Sequence, residues 1–206
     1  MAATSGAAIA DAALRYKGET YVYGGTGARP GDWDCSSFVT YVLGHDLGLA
    51  VPGGSWAAVT GRGTQHGPVV TSYATWGGAA TIPAGQAAEG DLVLFVGLGT
   101  GGHMGIVLGP DKMVSALDTS QGTLVSPVNG YGPAGAPIIY RRLKNAAAGP
   151  IPQAPGVAGT GWGGLLIAAA AGLGAGAAMI AAILTLAVGV AAGTVWLATR
   201  AVRGAG

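Results

Sequence analysis

The stretch Asp34-Cys35-Ser36-Ser37-Phe38-Val39 carries the only cysteine of the chain, and its reading decides the fold. Asp34 is a good helix N-cap, and Phe38, Val39, Val42 and Leu43 fall on one face, which predicts a helix from about Cys35 to Leu43 with that face buried. Cys35 then sits in the first turn. Exposed amides and the positive end of the helix dipole favour thiolate over thiol there, as a nucleophile requires.

Upstream, Ser5 can cap a helix from about Gly6 to Lys17, in which Ile9, Ala12, Ala13 and Tyr16 share a face and Gly18 ends the run. An aromatic stretch, Tyr21-Val22-Tyr23-Gly24-Gly25, and a loop lead back to Asp34. Downstream of a Gly-rich middle come strand-like runs at Leu92 to Val96, Met104 to Leu108, Met113 to Ala116 and Ile138 to Arg142. The first three are separated by short gaps, which predicts an antiparallel meander rather than crossover units. The expected class is α+β, helices first and sheet second. His103 opens the second strand, where it can lean toward the cysteine helix. A cysteine at a helix start and a histidine on a facing strand are the minimum for covalent acyl transfer.

Composition narrows the remaining functions. Half of the 206 residues are hydrophobic and 9% are charged, so the 40 Gly and 11 Pro do not make the chain a disordered polymer. A formal net charge of +1 excludes the field of a nucleic-acid binder. One cysteine makes no internal disulfide, and the three histidines lack the paired spacing of a zinc site. No metal or cofactor is implied, and His45 and His66 read as solvent or loop residues. Gly97-Leu98-Gly99-Thr100-Gly101-Gly102 satisfies G-x-G-x-x-G, but a strand follows it where a dinucleotide site needs a helix. Those glycines read as a hairpin loop that carries His103.

Charge also divides the chain. Residues 1–144 carry nearly all of it and are long enough for one domain, 145–164 read as a Gly/Pro-rich linker, 165–199 as a hydrophobic transmembrane segment and 200–206 as a short basic tail. The apolar run from Leu165 to Leu197 far exceeds the roughly 18 residues that signal a membrane span, with 175–197 the preferred span. Trp162 and Trp196 suit interfacial anchors, and the spacings Gly172/Gly176 and Gly189/Gly193 would let such helices associate as a homo-oligomer. Arg200 and Arg203 predict an inside C-terminus and an outside N-terminal domain. Met1 to Ala13 has neither the basic region nor the apolar run of a signal peptide. The domain then either stays inside, crosses by a special route, or is delivered from outside, as by a phage tail.

Four ordered blocks carry a resemblance: Tyr21-Val22-Tyr23-Gly24-Gly25, Asp34-Cys35-Ser36-Ser37-Phe38-Val39, Gly90-Asp91-Leu92-Val93-Leu94-Phe95 and His103-Met104-Gly105-Ile106-Val107-Leu108-Gly109. Over about 130 residues they resemble the NlpC-type cell-wall cysteine peptidases, which have a papain-like fold. The resemblance implies Cys35 as nucleophile, His103 as general base, Tyr21 as a hydroxyl near the attacked carbonyl, and Asp34 and Ser36 as shapers of the substrate pocket. It implies peptidoglycan stem peptides as substrate, cut between γ-D-glutamate and the diamino acid. The family places a third polar residue, usually histidine, about twelve positions after the catalytic histidine. Ser115 stands there, with Asp118 the alternative three residues on. Ser37 replaces the family's usual glycine.

The leading expectation is therefore a membrane-anchored or membrane-inserting cysteine endopeptidase facing the cell wall, carried in a phage tail or mobile element. A second is a structural virion component that keeps the fold for docking to tail proteins, with Ser115 marking lost catalysis. A third, a lecithin:retinol acyltransferase-like enzyme, conflicts with the order of Cys35 before His103.

Overall fold

A computed structural model describes residues 3–98, 101–131 and 137–147, all within one unit of the chain. The expected membrane segment 165–199 and basic tail 200–206 lie outside the described residues, as does nearly all of the expected linker. No helix among the described residues is long and apolar enough to cross a membrane.

The chain opens with β1 (Thr4–Ser5) and α1 (Gly6–Leu14). Ser5 caps α1, its Oγ accepting the Ala8 amide at 3.1 Å. Ile9, Ala10, Ala12 and Ala13 are buried. The helix stops three residues short of Lys17 because the chain tightens, Tyr16 bonding to the Ala13 carbonyl and Lys17 to that of Leu14. It leaves through Gly18 at φ +98, a conformation glycine adopts without strain.

Next comes α2 (Cys35–Thr40), continued by a π-helical stretch, Tyr41–Asp46, so the run predicted to Leu43 is α-helical only to Thr40. Phe38, Val39, Val42 and Leu43 are all fully buried, as their spacing required. The short helices α3 (Trp56–Val59) and α4 (Val70–Thr75) complete the helical half.

The strands are β2 (Ala79–Ile82), β3 (Leu92–Phe95), β4 (His103–Gly109), β5 (Lys112–Asp118), β6 (Gly122–Ser126), β7 (Ile138–Leu143) and β8 (Ala146–Ala147). Six of them form an antiparallel sheet in the order β2-β7-β3-β4-β5-β6. The expected meander is therefore present and runs on into β6. β8, at the start of the expected linker, pairs in parallel with β1 through Thr4 with Ala146 and Ser5 with Ala147.

One face of the sheet, with Leu92, Leu94, Met104, Ile106, Val114 and Ala116, packs on α1 and α2. Burying each of the larger side chains among them stabilises the fold by roughly 1.5–3 kcal/mol. Trp33, just before α2, lies edge-on to Tyr16 at 5.1 Å and beside Phe38 at 5.3 Å. Its indole N–H donates to Thr123 Oγ1 on β6 at 3.1 Å, which ties the segment entering α2 to the far edge of the sheet. Asp91, 2% exposed, anchors the start of β3 with a carboxylate that takes the Ala88 amide at 2.7 Å and two bonds from the Arg142 guanidinium at 2.8 Å. These ties hold the start of α2 and the start of β4 in fixed relation.

Candidate active site

Cys35 is the first residue of α2. Asp34 Oδ1 accepts the Ser36 and Ser37 amides at 3.0 Å each, and Ser37 Oγ accepts the Asp34 amide at 2.9 Å. This reciprocal cap explains the serine at 37: its hydroxyl closes a capping box that a glycine could not. The backbone amides of Cys35, Ser36 and Met104 lie close enough to the Cys35 sulfur to favour its charged form. The Met104 amide is that of the residue next to His103 on β4, so the start of that strand lies beside the sulfur.

His103, 5% exposed, begins β4 beneath two aromatic rings, Tyr131 at 4.4 Å and Phe95 at 6.0 Å between centroids. Its Nε2 lies 3.1 Å from Ser115 Oγ, and Ser115 is fully buried on β5. With Nε2 so engaged, Nδ1 is the nitrogen left to accept a thiol proton. Of the two candidate orienters, Ser115 occupies the position. Asp118 instead closes the β5–β6 turn, its carboxylate taking the Ser120 and Gln121 amides at 2.7 and 2.9 Å.

A cavity of about 480 Å³ opens over the sulfur. Tyr21, Tyr23, Asp34, Ser36 and His66 supply its polar wall; Val69, Val70 and Leu98 supply an apolar one. Glycines 101 and 102 line it too, in the hairpin loop predicted to deliver His103. Gly102 has φ +77, and a Cβ there would come within 2.6 Å of the Phe95 carbonyl oxygen. Of the six residues predicted for the site, Tyr21, Asp34, Cys35 and Ser36 line the cavity, and His103 and Ser115 pair with each other on β4 and β5.

A family model described as the NlpC/P60 family matches residues 18–141, which span all of these residues. The chain belongs to the NlpC/P60 family. It is 32% identical over 121 residues to the "Probable endopeptidase p60" of Listeria grayi, covering 58% of this chain and 19% of that protein. It is 31% identical over 129 residues to "Protein P54" of Enterococcus faecium, covering 63% of this chain and 21% of that one. The chain therefore spans about a fifth of the length of these curated relatives. It is also similar to the crystal structure of the NlpC/p60 domain of the peptidoglycan hydrolase SagA, at 28% identity and a TM-score of 0.46 over 66% of this chain and 97% of that one.

The electrostatics of this NlpC/P60 site correct one expectation. Burial, and after it the charge of Asp34, push the Cys35 thiol up to about 12, against the pull of the three amides. Burial drags the His103 imidazole down to about 4. Both shifts oppose the charged forms, against the direction predicted from the helix start. Removing the sulfur from water outweighs the amides and the dipole at the start of α2. Moving the proton within the pair creates both charges together, so their attraction offsets part of the cost that burial sets on either alone.

Two residues, Tyr131 beside His103 and His66 in the cavity wall, escaped the sequence reading. Tyr131 lies tilted against His103, and burial with the nearby Cys35 charge pushes its phenol up to about 12. Tyr21 is pushed up by the same causes. Both phenols stay protonated near the sulfur and can donate to an oxyanion. His66, read as a solvent or loop residue, binds Asp34 Oδ2 through Nε2 at 2.8 Å. Neither had a local signal: Tyr131 lies among glycines and His66 in an irregular connection, and only the fold brings them to the site. His45 does lie at the surface, stacked on Tyr41 at 4.2 Å.

Proposed function

We propose that this chain is a cysteine peptidase that hydrolyses peptidoglycan stem peptides, with the bond between γ-D-glutamate and the diamino acid as its target. One observation carries the reading: Cys35 lines the cavity with its sulfur beside the backbone of Met104, the residue after His103, and the His103 Nε2 meets Ser115, within a chain of the NlpC/P60 family. The names of the relatives, an endopeptidase and a peptidoglycan hydrolase, support the substrate class.

The steps follow from the geometry. His103 Nδ1 takes the proton from Cys35 as the sulfur bonds to the scissile carbonyl carbon. The Tyr21 hydroxyl and the Cys35 amide donate to the oxygen as it becomes an anion. The imidazolium then passes its proton to the leaving amine, and the C–N bond breaks to leave a thioester on Cys35. Water attacks the thioester, giving a proton to His103. The C–S bond breaks, and the proton returns to the thiolate. Ser115 holds the ring through Nε2 throughout.

The apolar run at 165–199 is the proposed membrane anchor, which would set residues 1–144 against the wall. Incubation of purified wall with the full chain and with Cys35→Ala tests the proposal. Stem-peptide fragments released by the wild type alone are expected; equal release by both would refute it.

A further inference from the structure

His66 has no step in the reaction above, yet it lines the cavity with about a quarter of its side chain (26%) exposed. Its Nε2 lies 2.8 Å from Asp34 Oδ2 and its Nδ1 2.9 Å from the Gly67 carbonyl oxygen. Both partners are acceptors only. A neutral ring carries one N–H, so either tautomer would set a lone pair against one of these oxygens. Only the imidazolium satisfies both contacts.

The other half of this pair is Asp34. Its Oδ1 accepts the amides and hydroxyls of Ser36 and Ser37, between 2.9 and 3.1 Å, and His66 completes the carboxylate at Oδ2. Asp34 directly precedes Cys35, and its negative charge opposes a second one on the sulfur. A cation bound to the far oxygen reduces that opposition without disturbing the cap that fixes Cys35.

We propose that His66, clamped as an imidazolium between Asp34 and the Gly67 carbonyl, is a positioning residue that masks the Asp34 charge beside Cys35, so that efficient turnover requires His66 to carry its proton. This rests on the peptidase reading and adds a charge requirement to it. Asp34, at the start of α2, is the charged group that faces His66. The other titratable groups on the cavity walls are Tyr21 and Tyr23, from the segment before α2, and Cys35. The start of α4 contributes Val69 and Val70, and the β3–β4 hairpin Leu98, Gly101 and Gly102, none of which titrates.

The hydrogen bond to Asp34 raises the His66 pKa above its ordinary 6.5. The clamp is therefore complete below about pH 6.5 and is lost as pH rises through the raised value. Activity should fall on the alkaline side with that group.

The test follows kcat/KM against pH on a soluble stem peptide, with the full chain as wild type, His66→Arg and His66→Gln. Ring-labelled NMR follows the titration of the histidines in the same proteins and in Asp34→Asn. The His66 ring is expected to titrate above 6.5 and to fall toward it in Asp34→Asn, with the descending limb of the wild type at the same pH. His66→Arg, permanently charged, should keep activity and move that limb upward by more than about one pH unit. His66→Gln should lose the limb and run about tenfold slower at pH 6. The proposal is overturned by a His66 ring that titrates at or below 6.5, or by His66→Gln with the rate and limb of the wild type. A wild-type chain inert at every pH overturns the peptidase reading instead, whatever the ring titration shows.

Discussion

Ser115 Oγ stands 3.1 Å from His103 Nε2, on a fully buried serine packed beside Gly105. A serine hydroxyl can donate or accept, so unlike a carboxylate it holds the ring without adding charge. One neutral hydrogen bond is worth roughly 1 kcal/mol. Ser115→Ala is therefore expected to lower kcat about 5- to 10-fold and leave KM nearly unchanged in steady-state assays. A loss of a thousandfold or more would mean that Ser115 carries more than orientation.

Gly105 controls that contact by having no side chain. A Cβ at 105 would lie 2.8 Å from the Val114 carbonyl oxygen and 3.0 Å from Ser115 Cβ. Gly105→Ala must therefore push β5 away from β4 or move Ser115, at a cost of about 1–3 kcal/mol in stability. Thermal melts should show the loss, and kcat should fall at least as far as in Ser115→Ala. A variant with wild-type melting temperature and kcat would show that the two strands tolerate separation there.

His103 sets the acid side of both activity and stability. Its burial lowers the folded pKa from 6.5 to about 4, so the unfolded chain binds more protons between those values. Stability is complete above about 6.5 and declines as pH falls toward 4, by up to about 3 kcal/mol. The kcat/KM profile should rise with an apparent pKa near 4. Urea unfolding between pH 4 and 7 checks the first statement, and His103→Gln should flatten the slope. An unchanged slope in that variant would assign the acid sensitivity to other groups.

Asp91 tests the frame rather than the chemistry. Its carboxylate is 2% exposed and takes two bonds from Arg142 and one from the Ala88 amide. Asp91→Ala leaves the guanidinium and the amide without that partner, and should lower stability by about 2–3 kcal/mol in denaturant unfolding. A change below about 0.5 kcal/mol would remove this tie from the account.

Legibility in the sequence followed the range of the signal. The cap at Asp34, the buried face of α2 and the strands from Leu92, His103 and Lys112 were readable because periodicity and capping act over a few residues. β2 escaped because two of its four residues, Ala80 and Thr81, are exposed and its apolar pattern is weak, and β6 because only Leu124 and Val125 mark it. Five of the six predicted site residues came from ordered blocks and Ser115 from its spacing after His103, whereas Tyr131 and His66 meet these residues only through folding. The acidity of Cys35 was misjudged for a related reason. The helix start is visible in the sequence, but the desolvation that outweighs it comes from β4 and the loops packed around it.

Hydrolysis at this site passes through a covalent intermediate on one sulfur. Acid-quenched intact mass spectrometry of the full chain, mixed with a synthetic stem tripeptide, reads it directly. The account predicts an added acyl mass on the wild type, mapped to Cys35, absent from Cys35→Ala and reduced in His103→Ala. Peptide cleavage with no adduct on Cys35 at any quench time, and undiminished in Cys35→Ala, would contradict it.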